Sequence, residues 1–259
     1  MRNNIIPKIV SAFVVSSVSF CAPAFADGWY FGGMAGGTWQ GDRPGYWQSP
    51  GPGDPRITYD VNADATFAGF ISVGKTVMDG VRADVSLGFT GSQDIQAYWV
   101  SPPPSTAGGK PNDHANIATS VSTISGMFNV TVEPLAVAGY ESAIQPFITA
   151  GIGVANVSMG NWTRTNLATI NPPAQQVRTF VGDDSMNFAW SIGGGVSVDL
   201  KETLNRTAFL DLGYRYMDFG KVSGGFTPLP GNGNSTPIEP FNFRHTAHVV
   251  TIGLRFPFN

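Results

Sequence analysis

The sequence predicts an all-β fold, a single eight-stranded antiparallel up-and-down transmembrane β-barrel. Three observations predict it. The N-terminus reads as an export signal. Apolar and polar residues alternate with period two over segments too long for ordinary soluble strands. The connections between those segments are long and short in strict turn.

Residues 1–26 read as a cleaved signal: Arg2 and Lys8 give a positive start, Ile9 to Phe20 an apolar stretch, and Ala24-Phe25-Ala26 a small-x-small cleavage pattern before Asp27. That stretch is too short to span a bilayer, and no later run reaches ~18 apolar residues. The mature barrel domain is expected over 27–259. Cys21 is the only cysteine and lies in the signal. Phe20 before it argues against lipid attachment, and disulfides and cysteine-based metal or catalytic sites drop out. Charged residues make up 13% of the chain, and removing Arg2 and Lys8 leaves 13 basic against 18 acidic residues. Nucleic acid is not an expected partner for such a chain.

The period-two pattern is clearest over 185–200. Met186, Phe188, Trp190, Ile192, Val196, Val198 and Leu200 share one face, opposed by Ser185, Asn187, Ser191, Ser197 and Asp199. Soluble strands average 5–6 residues, whereas a tilted crossing takes ~9–11. The pattern recurs over 206–219 (Leu210, Leu212, Tyr214, Tyr216 against Asp211, Gly213, Arg215) and over 81–92 (Val85, Leu87, Phe89 against Arg82, Asp84, Ser86). It recurs again over 245–258 and 143–157. In 65–76, Phe67, Ile71 and Val73 form a face from which Phe70 departs. In 118–132, Val121 falls out of phase with Ile124, which suggests a bulge. The faces of 28–39 cannot be assigned among its glycines and aromatics.

Eight strands result. The connections 40–64, 93–117, 158–184 and 220–244 are long, while 77–80, 133–142 and 201–205 are short. Short periplasmic turns and four long extracellular loops produce that order. Closure follows from hydrogen bonding, because an unpaired backbone group in lipid costs several kcal/mol.

Four segments then show a resemblance: Pro146-Phe147-Ile148-Thr149-Ala150-Gly151-Ile152-Gly153, Ala189-Trp190-Ser191-Ile192-Gly193-Gly194-Gly195-Val196, Leu210-Asp211-Leu212-Gly213-Tyr214-Arg215-Tyr216, and Val250 to Phe258. They resemble strands five to eight of the OmpA-like and opacity-protein-like outer-membrane barrels. The resemblance implies residence in the outer membrane of a Gram-negative cell, among its lipid and lipopolysaccharide. It also implies contact with the barrel-assembly machinery, read from the terminal signal Thr251, Gly253, Phe256 and Phe258. Relatives are envelope-stabilising proteins, adhesins, surface antigens and occasional weak pores, so the fold does not fix the function.

The candidate site residues follow from the faces. Arg82, Asp84, Asp199, Asp211, Arg215 and Arg255 are expected inside, three of each sign. An eight-stranded barrel is just wide enough for its own side chains. A balanced lumen charge network is therefore expected rather than an ion path. Trp29, Tyr30, Trp190, Tyr214 and Tyr216 are expected in the aromatic girdle, with Phe256 and Phe258. Tyr46, Trp47, Tyr98, Trp99 and Trp162 are expected as exposed loop aromatics available to an extracellular partner. His114, His245 and His248 lack a Ser–acid constellation, and no cofactor or metal motif is visible. The expected role is a non-enzymatic envelope and surface-interaction barrel. A lipid-modifying enzyme and a narrow channel are the alternatives.

Overall fold

The computed structural model describes residues 28–51, 53–101, 115–140, 142–166, 177–204, 207–231 and 236–258. The predicted signal, His114 and the Pro102–Pro104 and Pro172-Pro173 stretches lie outside them. The first six strands are β1 (Trp29–Trp39), β2 (Arg43–Gln48), β3 (Arg56–Ala63), β4 (Thr66–Met78), β5 (Val81–Ser101) and β6 (Ala115–Val132). A one-turn helix α1 (Pro134–Val137) precedes β7 (Ile144–Met159), β8 (Trp162–Asn166), β9 (Val177–Phe180) and β10 (Asp183–Asp199). A second turn α2 (Lys201–Leu204) leads to β11 (Phe209–Ser223) and β12 (Glu239–Pro257).

Eight of these strands close an antiparallel ring in the order β1-β4-β5-β6-β7-β10-β11-β12. The last strand meets the first in continuous register from Tyr30↔Pro257 to Trp39↔His248. The Phe258 amide extends this pairing past the proline by donating to Trp29 O at 2.8 Å. No strand edge is left within the ring, as lipid requires. Outside, Phe67, Ile71, Leu87, Phe128, Ile148, Phe188 and Ile252 belong to a continuous belt of exposed apolar side chains. Such a belt is stable only where the surrounding medium is itself apolar.

Among the described residues, the long connections continue as paired strands. Beyond Trp39 the hairpin β2–β3 takes the place of β1 and β4, with β2 on β12 (Tyr46↔Asn242) and β3 on β5 (Asp60↔Tyr98). On another part of the wall, β8 pairs with β6 (Ile117↔Arg164) and with β9. The segment after β11 then bonds to β9 and its neighbours through Val181 N to Thr227 O, Gly225 N to Val181 O and Leu229 N to Thr179 O. Gly224 N returns to Phe241 O on β12. A second tier of hydrogen-bonded strands therefore stands on the membrane ring.

Its interior is mainly apolar, with Arg164, His245 and Gln40 among its buried groups. Trp47, Ile57, Tyr59, Val61, Ile95, Ile117, Trp162, Phe180, Phe219, Phe241 and Phe243 are buried in one cluster. Burying each such side chain stabilises by about 1.5–3 kcal/mol. Two irregularities aim side chains into this core. In β5 the register slips between Thr90 and Gln93, so Phe89 faces out while Ile95 and Ala97 face in. In β11 a slip between Asp218 and Lys221, with Gly220 at φ +82°, lets both Phe219 and Val222 point inward. The expected bulge at Val121 is corrected: β6 keeps its register, and the extra residue is on β5. Val121 is simply an inward apolar residue of the upper core, and Phe70 is likewise buried inside.

Candidate functional site

The lower lumen is a polar plug. β5 supplies Arg82 and Asp84, β11 supplies Asp211 and Arg215, and β12 supplies Arg255, all inward by strand parity. Asp211 accepts from Ser197 Oγ at 2.5 Å and from Arg255 Nε at 3.1 Å, and Arg82 stands at 4.0 Å. Asp84 accepts from Tyr30 OH at 3.0 Å and from Asn129 Nδ2 at 2.8 Å. Arg215 Nη1 donates weakly to Asn129 Oδ1 at 3.4 Å. Arg255 also lies over the Phe209 ring, 4.2 Å from its centroid. The space left among these groups is a cavity of about 20 Å³, room for about one water molecule.

Two expectations are corrected here. Tyr30 is not a girdle residue: it points inward, is 2% exposed and holds Asp84. Asp199 is not in the network. It is exposed at the end of β10, where Oδ1 accepts the Lys201 amide and caps the α2 turn. Glu133, just past β6, takes the vacant acidic place: it pairs with Arg82 and lies 3.7 Å from Arg255. Its parity with Asn129 and Thr131 places it on the inner face, a signal readable one residue beyond the strand.

The girdle end of the membrane belt is built from Trp39, Trp190, Tyr214, Tyr216 and His248. Trp39 stacks on His248 at 5.7 Å, Tyr216 lies 5.4 Å from His248 and 5.6 Å from Trp190, and Tyr214 OH meets His248 Nδ1 at 2.7 Å. Trp29 and the exposed Phe256 stand at the opposite end, on the outer side. Thr251 and Gly253 face inward between them.

Above the girdle, the loop aromatics divide. Trp47 and Trp162 are buried, contrary to the expectation of exposure. Trp162 stacks on Phe180 with centroids 4.0 Å apart, and its Nε1 donates to Gly225 O at 3.0 Å. Arg164 lies over Trp47, 4.9 Å from the ring centre. Trp99 is half-buried against Tyr59. Tyr98 is exposed, with Val100 beyond it on the outer face of β5. On the adjoining wall Arg56 covers the Tyr46 ring at 3.8 Å and forms a two-point ion pair with Glu239 (2.5 and 2.7 Å). The hydrogen bonds from Arg56 hold the Glu239 carboxyl below its usual range.

His245 lies in the upper core, stacked on Phe219 at 5.3 Å, with Nδ1 donating to Gln40 Oε1 at 3.0 Å. Burial pushes its pKa down to about 4, against a smaller opposing pull from Asp218. A neutral, enclosed imidazole bonded to an amide has no substrate-facing nitrogen to act as a base.

The sequence is similar to proteins of Rickettsia and Brucella species. A Rickettsia bellii protein described as "Putative adhesin" is 26% identical over 261 residues, covering 99% of each chain. An uncharacterised Brucella abortus protein is 30% identical over 221 residues, 78% of this chain and 70% of its own. Among solved structures, OprG from Pseudomonas aeruginosa overlays with a TM-score of 0.44 at 16% identity, covering 89% of this chain and 97% of that one. Neisserial surface protein A overlays with a TM-score of 0.36 at 12% identity, covering 90% and 98%. The model of the outer membrane protein beta-barrel domain matches residues 12–256. The chain belongs to that family, the outer-membrane β-barrels of Gram-negative cells.

Proposed function

We propose that this barrel is a non-enzymatic surface-interaction protein that holds an adhesin-like contact wall above the outer membrane. The observation that carries this reading is the upper tier. Its strands are hydrogen-bonded to each other and packed on an aromatic core, so the exposed outer wall of β2, β3 and β5 is presented rigidly. Tyr46, Arg56, Tyr98 and Val100 supply stacking, charge and apolar area on that wall, the mixture that partner surfaces favour. The adhesin name of the Rickettsia relative agrees with it. The doubly filled lumen, charged below and mainly apolar above, speaks against solute passage. The enclosed His245 speaks against acyl chemistry.

Two further roles belong to the same reading. Residues 1–26 direct export. The outward Phe256 and Phe258, with Thr251 and Gly253, are what the barrel-assembly machinery reads. Cells displaying the barrel should adhere to cultured eukaryotic cells or immobilised matrix proteins above the level of empty cells. A Tyr46→Ala, Arg56→Ala, Tyr98→Ala triple variant should lose most of that adhesion at equal surface display. Equal adhesion by the triple variant would refute the contact wall, and no adhesion by the parent would refute the function.

A further inference from the structure

We propose that the outer wall where β2, β12 and β11 meet is a binding site for a phosphorylated glycolipid of the outer leaflet. The inference uses the upper tier's extracellular orientation but not the adhesin reading.

The site is assembled from side chains of β2, β11 and β12. Arg43, at the start of β2, lies across the outside of β12, with Nε donating to Thr246 Oγ1 at 3.2 Å and Nη2 to Tyr216 OH at 3.2 Å. Among the described residues both acceptors are neutral hydroxyls, so the guanidinium keeps its charge. Arg244 follows two residues further out on the same strand. It is well exposed and bonded to Asp218 at 2.7 Å. Within these contacts two guanidinium groups meet one carboxylate, immediately above the girdle. Further out, Lys221 and Glu239 offset each other at 3.8 Å. A phosphate monoester suits this pair, since guanidinium groups bind phosphate oxygens through paired, charge-assisted hydrogen bonds.

Below the arginines lies an aromatic cluster in which Trp39 and His248 are near-parallel (16°) and Tyr216 meets His248 edge-on (66°); the exposed Trp39 ring suits the apolar face of a saccharide. Beneath Trp39 the outer wall is recessed. The successive outward positions of β1 are Gly37, Ala35 and Gly33, paired with Val250, Ile252 and Leu254 on β12. Phe67 and Ile71 rise on the β4 side, opposite Gly37 and Gly33. A Cβ added at Gly33 would meet nothing within 4 Å, and one at Gly37 would meet just a carbonyl oxygen at 4.0 Å. The recess is therefore open to lipid, and an acyl chain descending from the cluster would fill it. Phosphate, sugar and acyl chain thus find complementary surfaces in the vertical order in which lipid A carries them.

The test uses the full barrel refolded in neutral detergent, with lipid retention read by native mass spectrometry. The probes are diphosphorylated lipid A, the same lipid without its phosphates, and inorganic phosphate as a competitor. Wild type should retain lipid A roughly tenfold better than the dephosphorylated lipid, about 1.4 kcal/mol. An Arg43→Gln, Arg244→Gln variant should lose that preference, and millimolar inorganic phosphate should not displace the lipid. Gly37→Leu fills the recess without touching either arginine and should lower retention of both lipids. It also serves if the arginine variant does not refold, as judged by heat-modifiable gel mobility. Equal retention of the two lipids by wild type, or unchanged preference in the arginine variant, would overturn the site. Complete displacement by inorganic phosphate would replace it with a free-anion site.

Discussion

Asp211 is the side chain on which the membrane-level plug depends, and removing its carboxylate is the sharpest test of that plug. It accepts from Ser197 at 2.5 Å and from Arg255 at 3.1 and 3.4 Å, and it lies 4.0 Å from Arg82. Asp211→Ala changes the lumen balance from Arg82, Arg215 and Arg255 against Asp84, Asp211 and Glu133 to three cations against two anions. Breaking a buried ion pair by removing one partner costs about 3–5 kcal/mol, because the other charge is left without compensation. Glu133 still reaches Arg82 and Arg255, which places the expected loss at the lower end, about 3 kcal/mol. At a urea slope of about 2 kcal/mol per molar, the unfolding midpoint should fall by about 1.5 M. Asp199→Ala removes a charge of the same sign from an exposed turn cap and should cost about 1 kcal/mol or less. Exchanging the partners, Asp211→Arg with Arg255→Asp, should recover part of the loss. Equilibrium unfolding in lipid vesicles, followed by tryptophan fluorescence, reads all three variants. If Asp211→Ala costs no more than Asp199→Ala, the lumen is not held by this network.

Three further outcomes follow from the upper tier. His245 is neutral in the fold with its pKa near 4, against 6.5 unfolded. Its contribution is complete above pH 6.5 and is lost as pH falls toward 4, roughly 3 kcal/mol in all. His245→Phe should flatten stability over that window, and an unchanged slope would exclude His245 as its source. A Cβ at Gly224 would meet Trp162 Cδ1 at 2.3 Å, so Gly224→Ala should displace the indole and cost about 1–3 kcal/mol. Gly33→Ala, facing open space, should be nearly neutral; equal melting temperatures for the two variants would contradict the packing. Replacing residues 40–64 by a short turn should leave heat-modifiable mobility of the membrane ring intact, because β1 and β4 still pair up to Thr38↔Thr66. The same change should make residues 95–101 and 239–245 protease-sensitive, and continued resistance there would show that β2–β3 does not complete the tier.

The membrane ring was legible because lipid enforces one rule on every strand. Apolar side chains must face out and the backbone must pair all round, so Val250, Ile252 and Leu254 announce their face in the sequence. The girdle and the inward charges on β5, β11 and β12 follow from the same parity. Tyr30 was not legible: between Gly28, Gly32 and Gly33 its neighbours set no phase, and its direction is fixed by pairing with β12 more than two hundred residues away. Asp199 has the inward parity, but the strand ends at it, so the side chain serves the turn instead.

The upper tier is not legible by that parity, for a related reason. Above the bilayer nothing penalises a polar outer face, and the inner face becomes the apolar one, so the rule that decodes the ring inverts along the same strand. On β12 the inward positions run from Arg255, Gly253 and Thr251 to Val249, Ala247, His245, Phe243 and Phe241. The outward ones run from Leu254 and Ile252 to Arg244. A reader who stops where the outward apolar run ends takes everything beyond it for loop. Its prolines and glycines, Pro44-Gly45 among them, support that impression, although Gly45 sits inside β2, with a Cβ there 2.6 Å from Val61. The inversion also bears on mechanism. A lumen polar throughout could admit water and ions, and one apolar throughout could admit a greasy solute. This chain places the two fillings in series. The proposed functions use the outside of the tier, where Tyr98, Arg56 and Arg43 stand on a well-packed frame.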